Sequence, residues 1–441
     1  MIGVVSLLII IIGGCLAISN PAIFVLYYGL TASSTDAYGI ASFLSTGFGQ
    51  YSFVMQLLLI LALFVSVYNN RFLDKKLFIT VASYLLLCLW MAVVIFQKSF
   101  STEMFYIGTL NVWLEQMSPI YLIILMLNRE RTDIKKLLEI YVVIHVLLAF
   151  MVIYLPIAGI KVLDVIKSSN YLNDTTQLYD AGVAGFSNFL KLFSDKYAFN
   201  QVAHFHNSND TGFFGGVGII VGISNCLNDK KKKNKVFWAF LAFFALSLWF
   251  NSGMKGPIVG IAAGLILFWY VKRKDTLGLF FKFMVLLLLV LMAAFGSDLL
   301  NSLFNNIFSS TSTFGQSIQS RVLKREAGLK FILENPLWGS AASFDGLLSR
   351  KIDPHELSLR FAVLFGIPAG IMSFILYYIV PISSFINKAK NGLVGRYQCI
   401  LLMICIAVSL TNNYTDIVLF FFTLFVACFY EEKESINSQK G

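Results

Sequence analysis

The sequence predicts an all-α integral membrane protein that crosses the bilayer many times. Its mean hydropathy is +0.75, with 57% hydrophobic and 13% charged residues, which excludes an ordinary soluble domain. Apolar runs recur from one end of the chain to the other, close to the roughly 20 residues that cross a bilayer core. Because lipid offers the backbone no hydrogen bonds, such runs form helices. We therefore predict a polytopic membrane protein with about 12 transmembrane helices.

Residues 1–441 are predicted to form a single polytopic membrane domain. The first apolar run lacks a basic flank and a small-residue cleavage site, so we interpret it as a retained span and not a signal peptide. The predicted spans lie at about 2–18, 51–68, 77–96, 108–127, 137–156, 211–227, 236–250, 257–271, 279–296, 357–381, 398–412 and 415–430.

The basic residues of the short loops predict the orientation. They cluster at 71–76, 129–136, 230–235, 272–274 and 388–396, which alternate with loops almost free of Lys and Arg. The positive-inside rule places these clusters in the cytoplasm, and with them both termini. The same rule accounts for the net charge of +10 without a nucleic-acid ligand.

Two long segments then fall on the outer, periplasmic face, at 157–210 and 298–356. Loops of this length in membrane proteins usually carry function. The six cysteines all lie in or beside apolar runs, so neither a disulfide framework nor a metal site is expected.

The second outer loop contains a predicted amphipathic helix at 319–334. Ser317 and Ser320 are candidate N-caps, and Asn335-Pro336 ends the helix. Arg321, Lys324 and Arg325 share one side of it. Such a basic ridge either meets lipid phosphates or binds a pyrophosphate, since the guanidinium fork binds two phosphate oxygens at once.

His355, Glu356 and Arg360 follow at the start of the tenth predicted span. Arg360 either extends to the interface or binds an anion. A histidine beside a carboxylate and one turn from an arginine is a candidate general base.

Three other residues stand out. Lys255 occupies a very short outer loop between two spans, where packed helices would hold its charge in place. Asn209 precedes the sixth span and is either a donor to a ligand or a helix N-cap. His145 lies in mid-span and is interpreted as a hydrogen-bonded residue of the helix bundle.

Several common motifs are missing from the sequence. It contains no phosphate-binding P-loop, no GxGxxG, no HExxH and no DxD pair. Neither ATP nor a nucleotide sugar is indicated as a source of energy. The basic outer face predicts an anionic ligand that carries a lipid tail.

The order of the motifs resembles the O-antigen polymerase and O-antigen ligase superfamily of bacterial membrane glycosyltransferases. Lys255-Gly begins a span, Arg321 precedes Glu-Asn-Pro336-Leu-Trp-Gly, and Pro-His355 precedes Leu364-Phe-Gly-Ile-Pro-Ala-Gly. The family usually has Ser-Arg where this chain has Met254-Lys255, and often His-Asn at 355–356. Lysine keeps the charge but loses the guanidinium fork.

The resemblance implies a metal-independent transfer of glycan from undecaprenyl pyrophosphate, without a cofactor. Lys255 and Arg321 would bind the pyrophosphate, with Arg325 and Arg360 as further candidates. His355 or Glu356 would deprotonate the acceptor hydroxyl, and Asn209 would support the donor.

Three functions remain open from the sequence. The first is a polymerase of O-antigen or capsule repeat units, which the two long outer loops, each with several Lys or Arg residues, favour. The second is a ligase that transfers glycan to the lipid A core, and the third a flippase or transporter of lipid-linked oligosaccharide. A chain-length regulator and a flippase are expected partners in the bacterial inner membrane.

Overall fold

The computed structural model describes residues 2–33, 51–70, 75–101, 118–154, 208–252, 256–272, 313–340, 356–390, 396–411 and 416–430. Within these ranges all regular secondary structure is helical, which confirms the all-α class. The predicted span at 279–296 and most of both predicted outer loops lie outside them.

The helices follow the predicted apolar runs closely. In chain order they are α1 Ile2–Ser19, α2 Pro21–Tyr28, α3 Tyr51–Asn69, α4 Lys75–Ser101, α5 Ser118–Leu127, α6 Ile134–Tyr154, α7 Ser208–Asn228, α8 Lys232–Ser252, α9 Gly256–Lys272, α10 Thr313–Glu334, α11 Leu357–Phe374, α12 Val380–Lys390, α13 Arg396–Thr411 and α14 Asp416–Tyr430. Two π-helical stretches, Gly29–Ser33 and Ile375–Ile379, continue α2 and α11.

Two helical stretches are long and apolar enough to cross a membrane by length and composition. They are Phe78–Gln97 and Leu357–Phe385, and the second runs from α11 through the π-helical stretch into α12. Shorter apolar helices include Pro21–Thr31, Gly212–Asn228 and Tyr397–Ile406. The chain is a membrane protein in composition and helix content, while the count of twelve spans stays a prediction.

Helix α2 falls in a segment to which no predicted span was assigned. The side chain of Asn20 accepts a hydrogen bond from the Ile23 N–H at 3.2 Å, and Pro21 occupies the first turn, where its missing N–H costs nothing. The eight residues of α2 are too few to cross the bilayer core.

Helix α10 ends at Glu334 as predicted, but it begins at Thr313 instead of near residue 319. Ser317 and Ser320 therefore lie inside the helix, and the interpretation of these serines as N-caps is wrong. No proline separates Thr313 from Gln319, so the helical conformation continues back through both serines.

The described residues divide into two compact units. The first comprises residues 1–92, 113–260 and 414–441, and the second comprises 93–112 and 261–413. Helices α4 and α9 contribute to both.

Helices α7 and α8 form a close antiparallel hairpin in the first unit. A Cβ atom on Gly222 would lie 2.9 Å from both the Ala242 Cβ and the Trp238 carbonyl oxygen. One on Gly218 would lie 2.8 Å from the Ala245 Cβ. Small residues thus let the two backbones approach, as is usual between helices in lipid.

Asp229 closes the short connection between α7 and α8. Its carboxylate accepts hydrogen bonds from the Lys231 N–H and the Asn234 side chain, both at 2.9 Å. These bonds favour the ionised form and hold the pKa of this exposed carboxyl below its ordinary value.

His145 is buried in this unit, as its position in mid-helix predicted. Its ring stacks on Phe214 with centroids 4.5 Å apart and meets the edge of Tyr141 at 4.2 Å. The residue is part of an aromatic core between α6, α7 and α14, to which Phe420 also belongs.

Candidate functional site

Lys324 and Arg325 are less exposed than the leucines of helix α10. Both cations are half-buried, and the Nε atom of Arg325 is buried. Gly328 and Ile332 lie one and two turns after Arg325 and are buried, and α10 packs on α11. The exposed apolar residues of the helix are Leu323, Leu329 and Leu333, and Lys330 is exposed as well. Of the predicted basic ridge, the two described side chains are thus partly enclosed by the protein.

Arg321 lies in the same helix, four positions before Arg325. That register gives the two residues a common helix face. The side chain of Arg321 lies outside what the structure describes, so its contact with a pyrophosphate stays a prediction.

The six residues after Glu334 dock onto a break in α11. Gly339 closes the turn with φ +58, and its N–H donates to the Asn335 carbonyl at 3.1 Å. The Ser340 N–H then donates to the Val363 carbonyl, and the Ile367 N–H to the Pro336 carbonyl, both at 2.7 Å. The two glycine-containing motifs of the sequence are thus held together by their main chains.

Gly366 is the point at which α11 breaks. Its φ of 84 and ψ of 170 lie in a region that is essentially open to glycine alone. A Cβ atom there would collide with the carbonyl oxygen of Leu337 and would lie 3.0 Å from that of Pro336. Only glycine fits both the conformation and the docked segment.

At Gly366 the helix folds back on itself. The Tyr378 hydroxyl donates to Glu356 Oε1 at 3.2 Å, although the residues are 22 positions apart and would be separated by roughly 33 Å in a straight helix. Gly370 also lies against Ala362, and the rings of Phe361 and Tyr377 are 6.2 Å apart. The predicted span at 357–381 is therefore corrected to two antiparallel arms, 357–365 and 367 onward.

Glu356 caps the first arm. Its Oε1 accepts from the Ser358 N–H at 3.0 Å and its Oε2 from the Leu359 N–H at 2.6 Å. These bonds satisfy two of the N–H groups that a helix start leaves without partners. The resemblance gives asparagine at this position, and asparagine and glutamate share the acceptor oxygen that capping requires.

Arg360 is 5% exposed and lies one turn after Glu356. Its backbone N–H donates to the Glu356 carbonyl at 2.9 Å, so the first turn of the arm is intact around it. The expectation that Arg360 extends outward to the interface does not fit this burial. A buried guanidinium strongly attracts anions because the protein interior screens charge weakly.

The first unit brings the neighbourhoods of Asn209 and Lys255 to one end of the α7–α8 hairpin. Gly215 of α7 lies against the backbone of Trp249 near the end of α8, and Gly216 contacts Pro257 at the start of α9. Asn209 is in the first turn of α7, inside the helix and not before it. Its side chain, and Lys255 as a whole, lie outside the described residues.

The structure thus places only some of the predicted site residues. Arg325, Glu356 and Arg360 belong to the docked pair α10 and α11, and His355 immediately precedes the described part of α11. Among the described residues no group of three His, Cys, Asp or Glu side chains is placed to hold a metal ion.

Two elements of the site were missed by sequence reasoning. The first is the reversal at Gly366, for which the signal was Gly366-Ile-Pro368 inside an apolar run, since both residues disfavour a continuous helix. The second is Tyr378, which lies within an uninterrupted apolar run and gives no local signal.

Comparisons with known proteins agree with the motif order. Residues 240–374 match the family model described as O-antigen ligase, and this segment includes Lys255, α10 and the hairpin turn of α11. No curated protein and no solved structure matches the chain. The match supports a membrane glycosyltransferase type of enzyme in surface polysaccharide synthesis. Residues 240–374, which are less than half of the chain, are therefore similar to the O-antigen ligase family, in agreement with the resemblance to the O-antigen polymerase and ligase superfamily.

Proposed function

We propose that the protein polymerises repeat units of a surface polysaccharide, either O-antigen or capsule. It transfers glycan from undecaprenyl pyrophosphate to a lipid-linked acceptor at the outer face of the inner membrane. The match of residues 240–374 to the O-antigen ligase family supports the class of reaction. The two long segments at 157–210 and 298–356, each with several Lys or Arg residues, favour two lipid-linked substrates over one.

The observation that carries the proposal is the set of charges on α10 and α11. Arg325 is half-buried and Arg360 is buried, on two helices that pack together. Arg325 precedes His355 in the chain, and Arg360 follows it. Cations fixed in a poorly screened setting stabilise negative charge that develops on a leaving group. They need no reorganisation during the reaction.

The chemical step is a substitution at the anomeric carbon. The acceptor hydroxyl oxygen attacks this carbon, and its proton passes to His355. The bond between the carbon and the phosphate oxygen breaks, and undecaprenyl pyrophosphate leaves with the electron pair. Lys255 and Arg321, with Arg325 and Arg360, bind the departing pyrophosphate, and Asn209 supports the donor.

A purified-protein assay tests the proposal. Wild type in detergent, given lipid-linked donor and acceptor, is expected to form a new glycosidic bond, equally well with and without a metal chelator. Arg321→Ala and His355→Ala are expected to lose at least about 100-fold in rate, because each removes a charge or base from the transition state. Lys330→Ala removes an exposed cation from the same helix and serves as the control.

Absence of any glycosidic bond with wild type would exclude the enzyme. The same preparation in vesicles would then be tested for movement of the lipid-linked glycan across the bilayer, which is the outcome that a flippase predicts.

A ligase is the second candidate, because the matching family model is described as O-antigen ligase. It uses the same donor but transfers the finished chain to the lipid A core. A deletion strain separates the two functions. Lipid A core capped with single repeat units indicates a polymerase, whereas long chains left on the carrier lipid indicate a ligase.

Localisation and partners follow from the same proposal. The protein lies in the bacterial inner membrane as a multi-pass protein with cytoplasmic termini. It works beside a flippase that supplies lipid-linked repeats and a regulator that limits chain length.

A further inference from the structure

We propose that Tyr378 is a positioning residue for the transfer reaction, acting through Glu356 on the start of α11 and so on His355. The inference rests on the proposed function and adds to it a residue outside the segment that matches the family model, which ends at residue 374. It also assigns Glu356 a structural role as the anchor of the start of α11. His355 is then the base that deprotonates the acceptor hydroxyl.

The carboxylate of Glu356 accepts three hydrogen bonds from described donors. Two come from the N–H groups of Ser358 and Leu359, at 3.0 and 2.6 Å. The third comes from the Tyr378 hydroxyl at 3.2 Å. A carboxylate whose two oxygens accept three hydrogen bonds within its own fold is fixed in position, which suits it to act as an anchor.

The hydrogen bond from Tyr378 connects Glu356 to the second arm of α11, whereas the other two bonds stay within the first arm. The Ser358 and Leu359 bonds hold Glu356 to its own helical turn, so they move with that turn. Tyr378 belongs to the second arm, and its bond fixes the start of the first arm to a separate element. The open end of the hairpin is thereby fixed, while Gly366 and the docked 336–340 segment fix the closed end.

Tyr378 is itself held firmly. It is 5% exposed, and its ring lies 5.5 Å from that of Phe374. It also lies in the π-helical stretch Ile375–Ile379. A π turn adds one residue, which rotates the later residues of the helix by roughly 100° relative to a regular helix. Pi-helical turns are frequent at functional sites, and this one sets the register in which the hydroxyl reaches Glu356.

The effect on His355 follows from covalent geometry. Consecutive Cα atoms are about 3.8 Å apart, so a displacement of Glu356 also displaces the backbone of the adjoining residue 355. Glu356 has extended φ and ψ of −143 and 135, and it joins His355 directly to the helix. A misplacement of about 1 Å in a reacting group can lower the rate roughly 100-fold.

The test is Tyr378→Phe, which removes the hydroxyl and keeps the ring that packs on Phe374. In the purified assay we expect kcat to fall by roughly 10- to 100-fold and the KM for the lipid-linked donor to change little. Tyr397→Phe, at the start of α13, is the matched control and should keep wild-type kcat. Wild-type kcat in Tyr378→Phe would overturn the proposal.

A double-mutant cycle separates positioning of the base from general structural support. If Tyr378 acts through His355, then Tyr378→Phe costs nothing further in the His355→Ala background. The same fold loss in both backgrounds would show that Tyr378 does not act through His355.

Hydrogen exchange gives a readout that does not depend on activity. The N–H groups of Ser358 and Leu359 should exchange faster in Tyr378→Phe than in wild type or Tyr397→Phe. Unchanged exchange would overturn the anchoring role. A wild-type protein that forms no glycosidic bond would instead exclude the proposed function, and the positioning role with it.

Discussion

Gly366 shows how much of this fold depends on single backbone conformations. Its φ of 84 and ψ of 170 allow the chain to reverse within one residue, and its missing Cβ lets Pro336 and Leu337 approach. Gly339, with φ 58, performs the complementary turn on the other side of the same contact. Each glycine lies where a Cβ would meet the other segment's backbone.

Gly366→Ala is expected to lower the stability of the protein by about 3 kcal/mol or more, since both the strained dihedrals and the collision with Leu337 oppose it. The change appears as a lower Tm in detergent and as lost transferase activity. Gly14→Ala is the control, because a Cβ there would meet only Leu58 at an ordinary 3.8 Å. Equal Tm values for the two variants would contradict the role of Gly366.

Lys255 offers a second prediction at this scale. If its role is to bind the pyrophosphate, Lys255→Arg should keep activity, because it keeps the charge and adds the planar guanidinium fork that binds two phosphate oxygens at once. Lys255→Ala should lose it, as measured with the lipid-linked donor in detergent. Equal activity of Lys255→Ala and wild type would remove the residue from the site.

At the scale of the helices, α10 has a buried side and an exposed side, and we expect the buried side to hold it in position. Ile332 is 6% exposed, whereas the adjacent Leu333 is 76% exposed. Ile332→Ala should destabilise the protein by about 2–5 kcal/mol and lower activity as α10 moves. Leu333→Ala should change stability by less than about 0.5 kcal/mol. Thermal unfolding of the two variants compares them directly, and an equal loss in both would show that α10 does not pack through Ile332.

Most of the described helices could be predicted because their apolar runs are bounded by charged or turn-forming residues. Helix α8, for example, begins within the lysines at 230–235, which cannot enter lipid. The two arms of α11 were not predicted, because an apolar run has the same composition whether it is straight or folded. Contacts between the arms, such as that between Glu356 and Tyr378, distinguish the two forms.

The candidate site was predicted as a set of residue types and not as an arrangement. The positions of Arg321, Arg325 and Arg360 followed from helical register and charge. The partial burial of Arg325 and the burial of Arg360 depend on contacts between α10 and α11, which periodicity does not encode. The capping role of Glu356 was also missed, because glutamate is an uncommon N-cap residue.

For the whole molecule, the reversal in α11 leaves the predicted orientation intact. The first arm, at 357–365, is roughly 13 Å long and cannot cross a hydrocarbon core of about 30 Å. The second arm and its continuation, at 367–390, span roughly 36 Å and can. The prediction of one crossing in this region is therefore unchanged, and so is the prediction that both termini lie on the same side.

Labelling with a membrane-impermeant maleimide tests this topology. In a cysteine-free background, Lys233→Cys should be protected in intact cells, because the positive-inside rule places its loop in the cytoplasm. Ser310→Cys, in the long segment at 298–356, should be labelled under the same conditions. Both should react after permeabilisation, and labelling of Lys233→Cys in intact cells would reverse the predicted orientation.

The docking of residues 336–340 on the Gly366 turn has a consequence for how such proteins are compared. The contact is made by carbonyl oxygens and N–H groups, and its specificity lies in the absence of two side chains. Substitution at one position cannot be compensated at the other, because no side chain there can restore the space. Correlated substitutions between related sequences commonly reveal residues in contact. They will therefore not reveal the contact between residues 336–340 and the Gly366 turn. It has to be recognised instead as two glycines that stay fixed while the residues around them vary independently.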